Sequence, residues 1–309
     1  MNIRVQNLVK KYGTQRAVDN ISFDVKSGEI LGFLGPNGAG KTTTMKMITC
    51  YMSPSEGDIQ VGDYSILSNQ EAIKKRIGYL PEHNPLYLDM PVMEYLAFAA
   101  AIQGVQKADI PNRLREMVRT CGLNKEKHKK IGELSKGFRQ RVGLAQAMIH
   151  NPDVLILDEP TTGLDPNQIV EIRELIKKLG QEKTVIFSTH ILPEVEATCD
   201  RILIINEGKI VADGSPKDLR QQASGSEISK IRLEDFNDAY NVHEAFDMLP
   251  SVSVVDFDKD ENYFMVESIK GMSSRREIFQ TCVNNNWILT ELTPIERDLE
   301  DVFRNVTMK

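Results

Sequence analysis

The chain has 309 residues, enough for about two domains of ordinary size, and its 41% hydrophobic and 27% charged residues are those of a soluble protein. The net charge of −6 is unevenly placed: from Gly225 onward nine Lys and Arg face seventeen Asp and Glu, a net of −8, which leaves +2 for the rest. An acidic C-terminal part argues against nucleic acid as the main partner, because phosphate backbones need clustered Lys and Arg.

The first residues, MNIRVQNLVKKYG, alternate like a strand and carry no signal-peptide core. A second β-branched, apolar stretch, VDNISFDVKSGEILGFLG, ends at glycine, and TTTMKMITCYM follows as a helix stopped by SPSEG. RIGYLP reads as a short strand. From Pro91 to about Cys121 the Leu, Ala, Met and Val spacing predicts a helix. LSKGFRQRVGLAQAM, Leu134 to Met148, opens with a small hydroxyl residue and a glycine, then turns basic and apolar at helical spacing, as a helix N-terminus facing an anion would. VLILDEP is a strand buried on both faces. NQIVEIRELIKKLG is a helix, TVIFSTH another buried strand, and RILIINEGKIVADG a hairpin turning at EG. The alternation implies a parallel-sheet α/β core with some antiparallel β structure.

Composition turns polar over Lys217 to Ser229, KDLRQQASGSEIS, which reads as a linker. Beyond it come a strand (ISKIRLE), a helix (DAYNVHEAFDML), a hairpin turning at DKDEN, a helix (SSRREIFQTCVNNN) and a strand (WILTEL), the βαββαβ order of a small α+β ferredoxin-like sandwich. No apolar run approaches the roughly 18 residues that cross a bilayer; the longest, Tyr95 to Ile102, is too short. A cytoplasmic protein is expected. The four cysteines, Cys50, Cys121, Cys199 and Cys282, lie far apart without metal-ligand or redox-pair spacing.

GPNGAGKTT comprises Gly35, Pro36, Asn37, Gly38, Ala39, Gly40, Lys41, Thr42 and Thr43, and it sits between a strand and a helix. That context gives the pattern its meaning as a phosphate loop. The glycines let backbone N–H groups turn inward around phosphate oxygens, Lys41 supplies a compact charge for the β- and γ-phosphates, Thr42 suits Mg²⁺, and Thr43 can reach the α-phosphate. LILDEP ends a buried strand in two carboxylates, a costly placement unless they bind something. Asp158 is placed for the Mg²⁺ shell and Glu159 to polarise an attacking water. His190 closes the next strand and is expected beside Glu159, since adjacent parallel strands bring their C-terminal ends together.

With these motifs in order, residues 1 to about 220 resemble the ATP-binding-cassette ATPases. The resemblance rests on KKYG, GPNGAGKTT, GYLPE, LSKGFRQR, LILDEP, TTGLDP and STH. It implies ATP and Mg²⁺ as cofactors and a phosphate-loop nucleoside-triphosphatase fold with an antiparallel β subdomain and a helical subdomain. It gives Tyr12 and Val18 to the adenine, Glu159 to general-base work and His190 to the γ-phosphate. Gly163, Leu164 and Asp165 become a loop crossing to a second copy, and Glu82 stands where a glutamine senses Mg²⁺ and water. Glu82 to about Tyr95 would contact the membrane subunit. Two such cassettes pack head to tail, so Ser135 and Gly137 would cap the ATP held by the partner's phosphate loop, supplying the positive potential that Lys41 and Mg²⁺ leave incomplete. Lys136 and Phe138 replace a glycine and a glutamine of the usual signature, and Glu82 replaces the glutamine; with Glu159 and His190 intact, hydrolysis is expected to survive.

The end of the chain, LTPIERDLEDVF, resembles the C-terminal appendage of exporter-type single-cassette ATPases such as drug-export, polysaccharide-export and gliding-motility-associated members. The expected organisation is a nucleotide-binding domain over 1–220, a linker over 221–227 and a regulatory or dimerisation domain over 228–309. The expected protein is the ATPase subunit of a transporter, pointing to export. It works as a homodimer on separate membrane-spanning subunits, peripheral to the cytoplasmic face of the membrane. The rival reading is a soluble ATPase acting on ribosomes or DNA; a single cassette, no heptad run and an acidic tail disfavour it.

Overall fold

The computed structural model describes residues 1–223, 227–234, 236, 238–295 and 299–307. By internal contacts the chain forms two units, one of Met1–Pro216 with the end of the chain from Val306, the other of Lys217–Asn305.

In the first unit, β1 (Ile3–Tyr12) starts as a strict in–out alternation and pairs antiparallel with β2 (Gln15–Val25). β3 (Ile30–Leu34) is buried throughout and leads into α1 (Lys41–Ile48). β4 (Glu56–Val61), β5 (Tyr64–Ser65) and the short α2 (Gln70–Lys74) precede β6 (Ile77–Leu80). Three helices follow and pack on one another: α3 (Val92–Ile102), α4 (Ile110–Thr120) and α5 (Lys136–Met148). Then come β7 (Val154–Asp158), α6 (Pro166–Gly180), β8 (Thr184–Thr189), α7 (Leu192–Thr198), β9 (Arg201–Asn206) and β10 (Lys209–Gly214).

The strands make two sheets. One is antiparallel, in the order β2-β1-β4-β5; the other runs β10-β9-β3-β8-β7-β6 and is parallel except for β10. The apolar runs of β3, β7 and β8 are buried at every position, as strands covered on both faces must be. One core cluster unites Val5, Leu8 and Phe23 of the first sheet, Phe33, Ile156 and Ile186 of the second, and Met45, Met47 and Ile48 of α1. Parallel pairing puts the C-terminal ends of β3, β6, β7 and β8 on one edge, in register Leu34↔Thr189, Leu80↔Leu157 and Asp158↔Ser188. The motifs GPNGAGKTT, GYLPE, LILDEP, TTGLDP and STH all hang from that edge.

The second unit starts within α8 (Pro216–Ala223), continues through β11 (Ile228–Glu234), α9 (Ala239–Asp247), β12 (Val252–Asp258), β13 (Tyr263–Ser268), α10 (Arg275–Asn284) and β14 (Ile288–Ile295), and ends within α11 (Leu299–Thr307). Its antiparallel sheet is ordered β12-β13-β11-β14. α9 packs on β12 and α10 on β14, around Ile231, Phe246, Phe264 and Ile278. Phe246 meets both Phe264 and Trp287 edge to face, with centroids 5.9 and 6.0 Å apart.

The structure differs from the sequence expectations in several places. The single helix expected over Pro91–Cys121 is two, separated where Gly104 takes φ +77° and ends α3. The polar stretch read as a linker is helical through Ala223, because KDLRQQA holds good helix formers and Pro216 supplies the first-turn residue; of the expected 221–227 linker, 224–226 lie outside the described residues. β4, β5, α2, α7 and α11 have no counterpart in the sequence reading. No helix among the described residues is long and apolar enough to cross a membrane. The four cysteines are free, and burial raises their thiols, Cys50 to about 11 and Cys121 to about 12.

Candidate functional site

Residues 35–40 turn from β3 into α1, and the turn closes on its own backbone. Gly40 caps α1 at φ +109°, where a Cβ would stand 2.5 Å from the Ala17 carbonyl; at Gly35 it would stand 2.3 Å from the Ile205 carbonyl. Both positions therefore require glycine. Lys41, buried at the start of α1, donates from Nζ to the Gly35 and Pro36 carbonyls at 2.7 and 3.2 Å. Its ammonium also lies 3.5 Å from Glu159 Oε1, with the two side chains only 6% and 7% exposed.

Asp158 ends β7 and faces the loop. Its Oδ1 accepts from Ser188 Oγ at 2.6 Å and Thr42 Oγ1 at 3.2 Å, while Oδ2 is buried without a partner. Burial pushes this carboxyl above the usual carboxylate range; hydrogen bonds from Ser188 and Thr42 oppose the rise, and the negative charges of Glu82 and Glu159 add to it. Glu159 adopts φ +50°, a conformation rare outside glycine and seldom kept except at functional sites. Its N–H donates to Ser188 Oγ at 3.0 Å. Its Oε2 accepts from Thr162 Oγ1 at 3.2 Å and meets His190 Nδ1 at 3.0 Å. An ionised carboxylate only accepts, so Nδ1 carries the proton and Nε2 of the half-exposed ring is left for another partner.

A cleft of about 330 Å³ opens over these groups, lined by Ala17, residues 37–43, Glu82, Glu159, Thr162 and His190. Of the residues marked in the sequence, it thus gathers Asn37, Gly38, Ala39, Gly40, Lys41, Thr42, Thr43, Glu82, Glu159 and His190, with Asp158 beneath through Thr42. Tyr12 is not among its walls: it is 49% exposed, its hydroxyl on Met52 Sδ at 3.3 Å. Val18 is buried in the core cluster beneath Gly40. Ser135 and Gly137 also lie outside the walls. Ser135 caps α5, accepting from Phe138 N–H at 3.4 Å, and Gly137 packs against Gln168 of α6. The loop of Gly163, Leu164 and Asp165 ends in a cap, Asp165 Oδ1 accepting from Gln168 N–H at 3.0 Å.

Sequence reasoning missed four supporting residues. Ser188 and Thr162 lie inside the STH and TTGLDP motifs, where charged neighbours mask them. Ala17 carries no chemical signal. Glu194 of α7 is buried, and its Oε2 accepts from Thr161 Oγ1 and Thr189 Oγ1, each at 2.8 Å. It ties the loop after Glu159 to the strand end before His190.

Comparison with known proteins decides the family. The family model described as ABC transporter matches residues 18–162. The bacitracin transport ATP-binding protein BcrA of Bacillus licheniformis is 34% identical over 97% of this chain and 95% of its own. The chain belongs to the ABC transporter ATP-binding proteins. Nod factor export ATP-binding protein I of Burkholderia orbicola is 36% identical over 74% of this chain and 76% of its own. A solved dimeric ATP-binding cassette, in a post-hydrolysis state bound to ADP and Pi, is 25% identical with a TM-score of 0.63, covering 69% of this chain and 98% of that one.

As an ABC ATPase the chain binds ATP. No group of three or more His, Cys, Asp or Glu that could hold a metal exists among the described residues. A divalent ion there must therefore take much of its shell from water and phosphate, as Mg²⁺ does. The unpartnered Asp158 Oδ2 and the Thr42 hydroxyl are the hard oxygen donors such an ion needs. The raised carboxyl of Asp158 fixes a sign. Across the interval between the ordinary pKa and the raised one, the folded chain binds more protons than the unfolded chain, so stability falls as pH rises through it and the loss persists above. Asp158→Asn removes that loss. The ligand-free variant is expected to melt at or above the parent temperature near pH 7, with the gap narrowing toward about pH 4, while losing stabilisation by Mg²⁺ with ATP. Thermal denaturation across that range checks it, and a variant melting well below the parent at neutral pH would refute it.

Proposed function

We propose that this ABC ATPase works as a head-to-tail homodimer that powers export through separate membrane-spanning subunits. The observation that carries the dimer is the separation just described: Ser135 and Gly137 stand outside the cleft that holds this chain's own phosphate loop, which fits a site completed by a second copy. The solved cassette bound to ADP and Pi is dimeric, which supports a dimer here, and the Nod factor export relative supports the direction. Tyr87 and Leu88 are exposed, and Tyr87 packs against Tyr95 and Phe98 with centroids 5.9 and 5.8 Å apart; this aromatic surface within and beside Glu82–Tyr95 suits a membrane-subunit contact.

Within each site, Lys41 leaves the Gly35 and Pro36 carbonyls for the β- and γ-phosphates. Mg²⁺, held by Thr42 and Asp158, would neutralise and orient phosphate oxygens. Glu159 takes the proton of the attacking water, kept in place by Thr162 and His190. Ser135 and Gly137 of the second copy close the far side, so that ATP joins the subunits and hydrolysis releases them. Ser135 is exposed and Lys41 sits in the phosphate loop, which permits a complementation test. Ser135→Arg and Lys41→Met should each be inactive alone. Mixed in equal amounts they should recover about a quarter of the parent ATPase rate, because half the dimers are mixed and each mixed dimer holds one intact site. A mixture as inactive as its components would overturn the shared site.

A further inference from the structure

We propose that Lys136 and Glu82 act as a charge couple within one chain, Lys136 being a positioning residue that offsets the negative charge of Glu82 beside Glu159. The inference rests on the ATP-hydrolysing reading of this site and concerns two positions where the sequence departs from its family pattern. Glu82 adds a negative charge and Lys136 a positive one, and the structure places both on one cleft.

That cleft, about 510 Å³, is lined by Glu82, His83, Asn84, Lys136, Arg139, Glu159 and Thr162 among others. It shares Glu82, Glu159 and Thr162 with the phosphate-loop cleft. Its carboxylates number two and its Lys and Arg two, so the departures at 82 and 136 cancel. Without Lys136, Glu82 would crowd an edge where Asp158 and Glu159 are already close; its charge is among the causes that raise the Asp158 carboxyl.

Lys136 is turned toward its own chain. A Cβ built on Gly163, which has φ +70°, would stand 2.0 Å from Lys136 Nζ. The ammonium thus fills the space of a side chain at 163, next to Thr162, whose hydroxyl holds Glu159. No carboxylate of a described residue lies within salt-bridge distance of it. The charge therefore acts through the cleft rather than in a fixed ion pair, a placement distinct from that of Ser135 and Gly137, which are assigned to the partner's nucleotide. Two opposite charges facing one partly wet cleft are coupled weakly but measurably.

The test is a double-mutant cycle of Lys136→Glu and Glu82→Gln, read by equilibrium binding of trinitrophenyl-ATP with and without Mg²⁺ and by kcat and KM for ATP. Lys136→Glu should weaken nucleotide binding about five- to tenfold at low salt, and adding Glu82→Gln should bring it back to within about twofold of Glu82→Gln alone. Raising the salt should shrink the coupling, and Lys136→Arg should keep the parent values. Lys136→Gln, neutral and similar in length, should show a smaller effect in the same direction, which guards against misfolding of the charge reversal. An equal cost of Lys136→Glu with Glu or Gln at 82 overturns the couple. A parent that binds nucleotide but does not hydrolyse it sinks the hydrolysis reading alone, because the binding cycle still measures the coupling; a parent that binds no nucleotide sinks both.

Discussion

Glu159→Gln is expected to lower ATP turnover by about 10²–10⁴-fold, the usual worth of a positioned general base, and to leave an ATP-bound dimer that survives gel filtration. The amide has nearly the shape of the carboxylate, so the contacts from Thr162 at 3.2 Å and His190 at 3.0 Å can persist with its oxygen as acceptor. Two things change. The amide cannot take a proton from water, which stops the chemistry. It also carries no charge, which removes a buried negative group from beside the terminal phosphate and favours the bound state. The unusual φ of +50° at this residue is a backbone property, and Gln meets the same steric cost as Glu, so the variant should fold as the parent does. Single-turnover hydrolysis and gel filtration with ATP read the two effects separately. Turnover within about threefold of the parent would remove Glu159 from the base role; a chain that stays monomeric in ATP would count against the shared nucleotide site.

Much of the site was legible because its chemistry is written in short contiguous motifs whose partners are fixed by parallel pairing. Once VLILDEP and TVIFSTH are adjacent strands, Asp158↔Ser188 register follows and His190 must fall beside Glu159. What stayed hidden was of another kind. Glu194 comes from a helix of only seven residues, and it accepts two threonine hydroxyls; nothing local in the sequence distinguishes it from a surface glutamate. β4 and β5 were missed because EGDIQV and YS are too short and too polar for a period to show. In the second unit, the strand and helix order could be read from alternation and from DKDEN, and α11 was legible too, since Leu299, Val302, Phe303 and Val306 recur at helical spacing behind a cluster of charges. The break at Gly104 shows the limit from the other side: a run of good helix formers hides a C-terminal stop that depends on one backbone conformation.

Lys41→Ala is expected to abolish measurable ATP binding at ordinary nucleotide concentrations and, less obviously, to destabilise the ligand-free fold. The ammonium and the Glu159 carboxylate are both buried, 3.5 Å apart. Removing one partner of such a pair leaves a buried charge uncompensated, at a cost of about 3–5 kcal/mol. The lower end applies here, because His190 and Thr162 still hold Glu159 Oε2. The Gly35 and Pro36 carbonyls lose a donor as well. The double variant Lys41→Met with Glu159→Gln removes both charges and keeps the volume, so it should recover most of the stability while hydrolysing nothing. Urea denaturation of the three proteins tests this. A Lys41→Ala variant as stable as the parent, with no gain in the double variant, would show that the pair contributes nothing to the ligand-free fold. Before nucleotide arrives, Lys41 is the counter-ion of the carboxylate proposed as the base. A triphosphate that draws Lys41 onto its own oxygens frees Glu159 Oε1, so the base is unmasked only when there is a phosphate for its water to attack.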